Sequence, residues 1–559
     1  MLTSIGPTSI AVLVRRVVAL AERRLLKNKK KRHPGCAIGD GKASLPVGLP
    51  KTWTITKGGS VTCRRVATAS FAEASALVAA VAEVCDKLNH HPTVAINEAR
   101  VCEEVAGCEV RIEFTTFSEG GRLTEKDVEA AKAVDALVAE RFPPKRPILA
   151  PLYDLPASRI ASFPASPRGS SKLLSRTADG TLSDAVFADL PDLLPPQALL
   201  VLNESRVVKA RLRTEAGIEV MLLNPEGDAD PQLQLGAKAH DQQWLAMVRT
   251  KVCPGETLKI GDKLTLNVVG HVGAWIEEGE TDGTECVVRF QCDGDSVALS
   301  DLLEQRGEVP IPPYFKREAV ESDKEAYQTV YASQEQCGSV AAPTAGLHFT
   351  PDLLEKLTKR GFQIVKVSLH VGAGTFKPLE GPDLGLHEMH SECVVASAGS
   401  LRELRDACLA GRPIVAVGTT VARSLESLCA LAGRVNDDDG PGSRRRPVYD
   451  LGHLGQWDAY DDCRRPLNAA MAFDALLSGV TLDGEVRCTT ALCAAPGFRF
   501  DVVNVLLTNF HHPDSTLMAL VAALIGEKQT AELYAHALQK DYRFLSYGDA
   551  CLLANPQRS

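Results

Sequence analysis

Two short runs, each with one histidine and one threonine among glycines and small residues, are the strongest candidates for chemistry in this 559-residue chain. They read GSVAAPTAGLHFT at residues 338–350 and LHVGAGTFKP at residues 369–378. His348 and His370 carry imidazoles that can gain or lose a proton near neutral pH. Glycine lets the backbone take a positive φ or approach a ligand closely; the glycines concerned are Gly346, Gly372 and Gly374. Each run predicts a ligand-binding loop with an acid–base group, and each taken alone is equally compatible with a turn around a buried, satisfied histidine.

Further polar motifs lie on both sides of these runs. They are LVLNESRVVKARL (200–212), VPIPPYFKR (309–317), YQTVYA (327–332), HEMHSE (387–392), AVGTTVARSLES (416–427), LLTNFHHPDSTL (506–517) and YRFLSYGDA (542–550). In this order and spacing, the set resembles the S-adenosylmethionine:tRNA ribosyltransferase-isomerase family of the queuosine pathway. The resemblance extends from about Leu152 to Leu553.

The resemblance implies a reaction and its partners. The ribosyl group of S-adenosylmethionine, a substrate here, is transferred to and rearranged on 7-aminomethyl-7-deazaguanine at the wobble position of a tRNA anticodon loop. The product is epoxyqueuosine, and adenine and methionine leave. A base must take a C5′ proton and an acid must protonate adenine, tasks that suit histidine. The candidates, which the sequence does not rank, are His348, His370, His387, His390 and His511.

The same motifs supply candidate substrate-binding residues. Gly418, Thr419 and Thr420 could open a helix whose N-terminus binds a carboxylate or a ribose hydroxyl; the alternative is an ordinary strand-to-helix turn capped by threonine. Arg423 could likewise form only a surface pair with Glu426. The full set is Asn203, Arg206, Thr344, Gly346, Gly372, Gly374, Thr375, Thr419, Thr420, Arg423, Asn509, Tyr547 and Asp549.

The HEMHSE motif invites a metal interpretation, because His387 and His390 are one helical turn apart with Glu388 and Glu392 beside them. It lacks the H-E-x-x-H spacing and a placed third ligand. The family resembled needs no metal, so we expect none.

The N-terminal part carries a second resemblance. Residues 71–88 place apolar side chains on one helical face, NHHP follows, and residues 110–117 alternate like a strand before a second helix at 126–141 that Thr124 caps. This order resembles pterin-4a-carbinolamine dehydratase, which implies a pterin pocket and a possible homo-oligomer. The matching site residues are Asp86, His90 and His91. Phe117 stands where the family has a third histidine, so we expect the fold with weak or absent dehydratase activity.

Composition narrows the class of protein. Apolar content of 45%, charged content of 24% and a formal charge of -8 describe a globular protein without a general electrostatic grip on nucleic acid. Local recognition of tRNA remains open. Sixteen cysteines without a C-x-x-C pair favour a reducing compartment, and no apolar run reaches membrane-spanning length. We expect a cytoplasmic protein with no membrane partner; the basic first forty residues leave open a mitochondrial presequence, an RNA-binding arm or a solvated tail.

The chain divides into a basic extension (1–50), a dehydratase-like domain (51–145) and, after a proline-rich linker, a transferase-isomerase-like domain (151–555). Within the last, residues 211–303 predict an inserted small β-barrel and residues 433–485 an irregular insertion. The expected fold is multidomain: α+β at the N-terminus, then α/β. The alternative function is a non-catalytic nucleoside- or tRNA-binding protein that dimerises through its dehydratase-like domain; Phe117 and Ala491, both departures from the families resembled, favour it.

Overall fold

A computed structural model describes most of the chain beyond the linker and parts of the N-terminal region. The described residues are 54–56, 61–68, 78, 81, 93–101, 104–114, 132–134 and 153–558, apart from 228–230, 262–263, 276–282, 293–296, 373–383, 385–386, 388, 437–444 and 461–467. Within these ranges, the structure contains no helix with the length and hydropathy of a transmembrane segment. The basic extension at 1–50 lies outside these residues.

The strands of the described residues form four sheets. They are β1 (Thr54–Thr56), β2 (Val61–Thr68), β3 (Thr93–Val101), β4 (Glu104–Phe114), β5 (Lys172–Arg176), β6 (Leu182–Val186), β7 (Leu199–Asn203), β8 (Arg206–Val207), β9 (Arg211–Arg213), β10 (Glu219–Pro225), β11 (Gln243–Val248), β12 (Thr257–Lys259), β13 (Leu264–Trp275), β14 (Gly283–Cys292), β15 (Cys337–Ser339), β16 (Gln363–Leu369), β17 (Glu392–Ser397), β18 (Ile414–Val417), β19 (Arg446–Leu454), β20 (Val480–Thr490), β21 (Val505–Asn509) and β22 (Ala550–Ala554).

Ten helices connect or cover the sheets in the part of the chain from 153 onward that the structure describes. They are α1 (Leu190–Leu193), α2 (Pro231–Gly236), α3 (Leu299–Arg306), α4 (Asp323–Ala326), α5 (Pro351–Lys359), α6 (Ala398–Leu409), α7 (Thr419–Leu431), α8 (Ala469–Gly479), α9 (Thr516–Ile525) and α10 (Glu527–Gln539). A 3-10 turn at Thr344–His348 contains the first histidine motif.

The N-terminal sheet is antiparallel with the order β1-β2-β4-β3. Strand β4 contains most of the predicted strand at 110–117 but begins earlier, so the long segment before Val110 is a hairpin with β3. Val78 and Val81 are helical, as the amphipathic pattern predicts, and Val81 is fully buried.

A six-stranded antiparallel sheet with the order β12-β13-β14-β11-β10-β9 occupies the predicted insertion at 211–303. Apolar side chains alternate along β11 between buried and half-buried positions, so one face of the sheet forms a core. Trp244, Leu266 and Phe290 belong to this core. The two edge strands approach each other, since Glu215 N, just after β9, donates to Lys259 O at 2.9 Å.

The largest sheet has ten strands in the order β19-β20-β17-β16-β7-β18-β21-β22-β5-β6. Strands β16, β7, β18 and β21 are neighbours and parallel. Every residue of β7, β18 and β21 is buried, as expected for parallel strands covered on both faces. Along β7, Val201 points into one core cluster while Leu200 and Leu202 point into the other. The sheet therefore separates two cores, which confirms the α/β expectation for this part.

The prediction that residues 433–485 are irregular is wrong where the structure describes them. Strand β19, helix α8 and strand β20 are regular, and the two strands extend the large sheet at one edge. Tyr449 and Phe473 pack in the same core as the central strands. The register between β19 and β20 shifts twice, so the period-two pattern of the sequence is broken although the strand continues. The Asp437–Asp439 run and Arg444 lie outside the described residues.

Candidate functional site

The predicted motifs meet at one edge of the large sheet. The parallel strands β7, β16, β18 and β21 all end at this edge, followed or closed by Asn203, His370, Gly418 and Asn509 respectively. The chain leaves β7 towards β16 on one side and later enters β18 on the other. Ligands of open α/β sheets bind at such a reversal, outside the carboxyl ends of the strands. We call this edge the carboxyl edge.

Three other strands bring further motifs to the same place. Strand β17 begins at the carboxyl edge with Glu392, the last residue of HEMHSE. Ala550, the last residue of YGDA, opens β22 and pairs with Asn509 of β21 and with Leu173 of β5. Segments far apart in sequence therefore converge because the strand register fixes their ends.

His348 is held between two polar side chains in the interior. Its Nδ1 lies 2.7 Å from Ser171 Oγ, and its Nε2 lies 3.2 Å from Asn509 Nδ2. The imidazole stacks on the Phe187 ring with centroids 4.8 Å apart. Burial, with the charges of Arg543 and Arg168, lowers the pKa of His348 to about 3. The ring is therefore neutral at physiological pH.

Asn509 closes β21 and is 2% exposed. Its Nδ2 donates to Leu545 O at 3.1 Å as well as facing His348. Its Oδ1 is buried and has no hydrogen-bond partner among the described residues. Buried polar atoms are normally paired, so this oxygen is a candidate ligand contact.

His370 follows β16 and is supported by two hydroxyls. Its Nδ1 lies 2.8 Å from Ser205 Oγ, which lies 2.6 Å from Ser339 Oγ. The backbone of Gly338 passes so close that a Cβ there would lie 2.7 Å from His370 Nδ1. A side chain at this position would displace the ring, which explains the glycine that opens the first motif.

Asn203 connects the ends of β7 and β16 rather than facing open space. Its Nδ2 donates to Leu369 O at 3.0 Å, and its Oδ1 accepts from Leu369 N and Ser205 N, both at 3.1 Å. The side chain is fully buried. It therefore orders the backbone beneath His370.

Arg423 and Glu392 form a buried ion pair at the carboxyl edge. The guanidinium donates through Nη1 to Glu392 Oε2 and through Nε to Leu492 O at 3.0 Å. Glu392 Oε1 accepts from Gly372 N at 3.2 Å, which anchors the start of the second glycine run. The suggested surface pair of Arg423 with Glu426 is wrong, since both are buried.

Glu426 has a different set of partners. Its carboxylate accepts from the backbone N–H groups of Asp501, Val502 and Val503 at 2.8–3.0 Å. Burial raises the pKa of Glu426, and these amides oppose that effect. The residue therefore shapes the turn that leads into β21.

Several buried polar atoms around the start of α7 have no partner among the described residues. They are Thr420 Oγ1, Arg423 Nη2 and, on a neighbouring segment, Tyr331 Oη. Gly346 lies against Tyr331, because a Cβ on it would be 2.0 Å from that hydroxyl. Helix α7 begins at Thr419, as predicted, and its first N–H groups are a favourable place for an anionic or hydroxyl group.

Among the remaining histidines, His511 is enclosed. Its Nε2 lies 3.0 Å from Thr508 Oγ1, and its backbone N donates to Tyr534 Oη at 3.0 Å. Burial lowers the pKa of His511 to about 3. His387 and His390 are half-buried, and the carbonyl of His387 accepts from Gln456 Nε2 at 2.8 Å. In the described part of the chain no three metal-binding side chains cluster.

Comparison with known proteins decides the family. Residues 152–553 match the family described as "Queuosine biosynthesis protein", and residues 41–137 match "Pterin 4 alpha carbinolamine dehydratase". The S-adenosylmethionine:tRNA ribosyltransferase-isomerase of Bradyrhizobium sp. strain BTAi1 is 37% identical over 412 residues, covering 72% of this chain and 95% of that protein. The protein of the same name from Heliobacterium modesticaldum is 37% identical over 407 residues, covering 72% and 98%.

The chain belongs to the S-adenosylmethionine:tRNA ribosyltransferase-isomerase family. It also carries a pterin-4a-carbinolamine dehydratase-like domain. The crystal structure of the S-adenosylmethionine tRNA ribosyltransferase from Thermotoga maritima is 27% identical and covers 72% of this chain and 99% of its own, with a TM-score of 0.35. A transcriptional coactivator/pterin dehydratase from Brucella melitensis is 24% identical, covers 16% and 82%, and has a TM-score of 0.13.

Two predicted residues of the ribosyltransferase-isomerase region are engaged in internal bonds. The Tyr547 hydroxyl donates to Asp323 Oδ1 at 2.9 Å, and its ring stacks on Phe315. Asp549 accepts from the backbone N–H groups of Lys172 and Arg543, at 2.9 and 2.8 Å. Both residues fix the YGDA loop at the carboxyl edge.

Of the remaining predicted site residues, some lie within the described part of the chain and some outside it. Thr344, Gly346 and Gly372 lie at the carboxyl edge, and Arg206 lies half-buried on β8. Gly374 and Thr375 lie outside the described residues, as do the dehydratase-like Asp86, His90 and His91.

Sequence reasoning missed three residues with polar contacts near the predicted site. Ser171 and Ser205 hold the two histidines, and Arg168 donates to the carbonyls of Glu325, Ala326 and Gln328, each at 3.1 Å. Tyr331 belongs to the YQTVYA motif, so a search of that motif for buried hydroxyls would have found it. Ser171 carries no comparable signal.

Proposed function

We propose that residues 151–555 transfer and isomerise the ribosyl group of S-adenosylmethionine onto 7-aminomethyl-7-deazaguanine at the wobble position of tRNA. The product is epoxyqueuosine, with release of adenine and methionine. The observation that carries this proposal is the meeting of the family's motifs at one carboxyl edge, where several buried polar atoms have no hydrogen-bond partner among the described residues. The named activity of the relatives supports it.

The chemistry needs a base for the C5′ proton, and His370 is our candidate. Its partner Ser205 Oγ can donate or accept, so the imidazole keeps its hydrogen bond when its protonation changes. His348 faces Asn509 Nδ2, which only donates. His387 and His390 remain candidates for the acid that protonates adenine.

Substrate binding is assigned to the start of α7. Its first N–H groups, which no side chain caps, and the side-chain atoms Thr420 Oγ1 and Arg423 Nη2 offer donors for the carboxylate of the methionyl group or for a ribose hydroxyl. The surrounding burial would exclude water from reactive intermediates. The tRNA anticodon loop must reach this edge from outside, since the nucleoside is part of a macromolecule.

The finer domain assignments are proposals of the same kind. We infer that residues 211–303 form a small closed barrel. The backbone hydrogen bond from Glu215 N to Lys259 O, which connects the two edges of the sheet, supports this inference. The dehydratase-like domain at 51–145 would retain a pterin-binding fold and support a homo-oligomer. A tRNA-modifying role favours the cytoplasm, with a mitochondrial location as the alternative.

The test uses the full chain with S-adenosylmethionine and tRNA that carries 7-aminomethyl-7-deazaguanine. We expect adenine and methionine to appear together with epoxyqueuosine, and a chelator to leave the rate unchanged. Matched tRNA with guanine at the wobble position is the control. Binding of both substrates without adenine release would instead establish the non-catalytic alternative.

A further inference from the structure

The amide of Asn509 has one orientation that satisfies its surroundings. Leu545 O lies 3.1 Å from the atom assigned as Nδ2. A carbonyl oxygen only accepts hydrogen bonds, so the amide nitrogen must face it; exchanging the two atoms would bring two oxygens together. The same nitrogen lies 3.2 Å from His348 Nε2. The neighbours on both sides of Nδ2 therefore act as acceptors.

This orientation fixes the tautomer of His348. Since Nε2 accepts from Asn509, it carries no proton, and the proton of the neutral ring lies on Nδ1. That N–H donates to Ser171 Oγ at 2.7 Å. Adding a proton to Nε2 would place two donors face to face. Burial in the same position lowers the pKa of the ring to about 3.

The oxygen of the Asn509 amide, unlike its nitrogen, lacks a hydrogen-bond partner among the described residues. Oδ1 is buried, and Nδ2 is fully used. Strand β21 ends here next to the start of α7, since Gly418 N donates to Leu507 O at 2.8 Å. Thr420 Oγ1, two residues beyond Gly418, is also unpartnered. Two strand ends thus direct unsatisfied polar atoms to one region.

We propose that Asn509 Oδ1 accepts a hydrogen bond from an N–H or O–H group on the adenosyl part of S-adenosylmethionine, and that His348 is a positioning residue for this amide. The small-molecule substrate is the match because the oxygen is deep, in a residue only 2% exposed, beyond easy reach of a base attached to tRNA. The adenosyl group offers two kinds of donor, the 6-amino group and the ribose hydroxyls. This inference rests on the proposed function but is tested without turnover.

The first experiment measures binding of S-adenosylhomocysteine to the full chain by calorimetry. Asn509→Ala should weaken binding by about tenfold, the value of one well-placed hydrogen bond. Asn504→Ala is the matched control, because Asn504 lies just before the other end of β21 and both its amide atoms are satisfied internally by Ile414 N and Arg558 O. The control should lose thermal stability and keep its affinity.

A second ligand separates the two donors. S-inosylhomocysteine carries a carbonyl in place of the 6-amino group. If that amine is the donor, the wild-type protein binds the inosyl ligand about tenfold more weakly and Asn509→Ala no longer distinguishes the ligands. If a ribose hydroxyl is the donor, Asn509→Ala weakens both equally. Unchanged affinity of Asn509→Ala for both, or no binding by the wild-type protein, would overturn the assignment.

The third experiment tests the role of His348. A glutamine can present an oxygen where Nε2 accepts, so His348→Gln should recover much of the S-adenosylhomocysteine affinity that His348→Ala loses. In turnover, both variants should keep the pH dependence of the wild-type protein, because a positioning residue does not titrate in the working range. If both variants lose about 10²–10⁴-fold in kcat and one limb of the pH profile disappears, His348 is the base and the proposal fails.

Discussion

Arg423 and Glu392 pair in the interior, although one lies in the second turn of α7 and the other begins β17. Each is less than a tenth exposed. Glu392 also holds Gly372 N, so the pair joins the helix to the second glycine run. The pair thereby holds the start of the second glycine run and the proposed substrate-binding helix α7 in one arrangement.

Breaking this pair should be costly. Arg423→Met leaves the Glu392 carboxylate buried without its cation, which is expected to lower the free energy of unfolding by about 3–5 kcal/mol. Urea unfolding of the full chain measures the change. Arg405→Met is the control, since Arg405 pairs with the exposed Asp406 and Asp474 and should change stability little. Equal effects of the two substitutions would contradict the prediction.

The contribution of Asp323 should depend on pH. Burial raises its pKa, but bonds from Arg317, Val320 N and Tyr547 outweigh this and hold the pKa of Asp323 below its usual value. Because the pKa of Asp323 is lower in the folded state, its carboxylate stabilises the protein in full above the unfolded-state pKa of about 3.9. This stabilisation is lost as the pH falls through the folded-state pKa.

Asp323→Asn should therefore be less stable than the wild-type protein. The difference in stability should be largest at neutral pH and should narrow below about pH 4. Thermal melts across pH 3–7 measure it. Asp352→Asn, at an exposed position in the first turn of α5, is the control. A difference that grows on acidification would show the sign to be wrong.

Gly346→Ala should disrupt the wall of the site. The added methyl group would lie 2.0 Å from Tyr331 Oη, so one of the two segments must move. We expect reduced affinity for S-adenosylhomocysteine, with partial recovery when Tyr331→Phe removes the hydroxyl. Gly236→Ala, where nothing lies within 4 Å, should have no such effect. Wild-type affinity of Gly346→Ala would show that Gly346 and Tyr331 do not line the binding site.

His370→Ala should reduce kcat by about 10²–10⁴-fold if His370 is the base. Ser205→Ala removes only its hydroxyl partner and should shift the pH profile while retaining more activity. Steady-state adenine release measured between pH 6 and 9 tests both. If His370→Ala turns over at the wild-type rate, His370 is not the base, and His387 and His390 become the candidates for that role.

The dehydratase-like domain should show little activity in the full chain, because Phe117 cannot transfer a proton. One positioned acid–base group is worth about 10²–10⁴-fold in rate. Dehydration of a 4a-hydroxytetrahydropterin, followed spectroscopically, should be near background and should rise in Phe117→His. Robust wild-type turnover that disappears in His90→Ala would show the third histidine to be dispensable.

The sequence was most informative where motifs follow strands. AVGTT and LLTN each join an apolar run to polar residues, and such junctions mark the carboxyl end of a parallel strand; the structure places both at one edge. Burial of charged side chains was not foreseeable, since arginine and glutamate are usually exposed. Arg423 and Glu426 sit in an apolar helix whose burial only the assembled sheet determines.

The roles of individual histidines also needed the assembled fold. His348 and Ser171 are 177 positions apart, and His370 and Ser205 are 165 apart. No pattern in the local sequence indicates that the members of each pair are in contact. Which nitrogen carries the proton depends on these distant partners, so the sequence names the histidines but does not separate a titrating ring from a fixed one.

The pairing of β8 with β15 has a consequence for variation in chain length. These two short strands lie side by side at the start and the end of the excursion that contains the six-stranded sheet. Because β8 follows Ser205 and β15 ends at Ser339, the pairing of these strands fixes the distance between the two ends of the excursion. The entropy of closing a loop grows only slowly with its length. Residues can therefore be gained or lost in the exposed turns of this excursion at small thermodynamic cost, without moving the hydroxyls beneath His370.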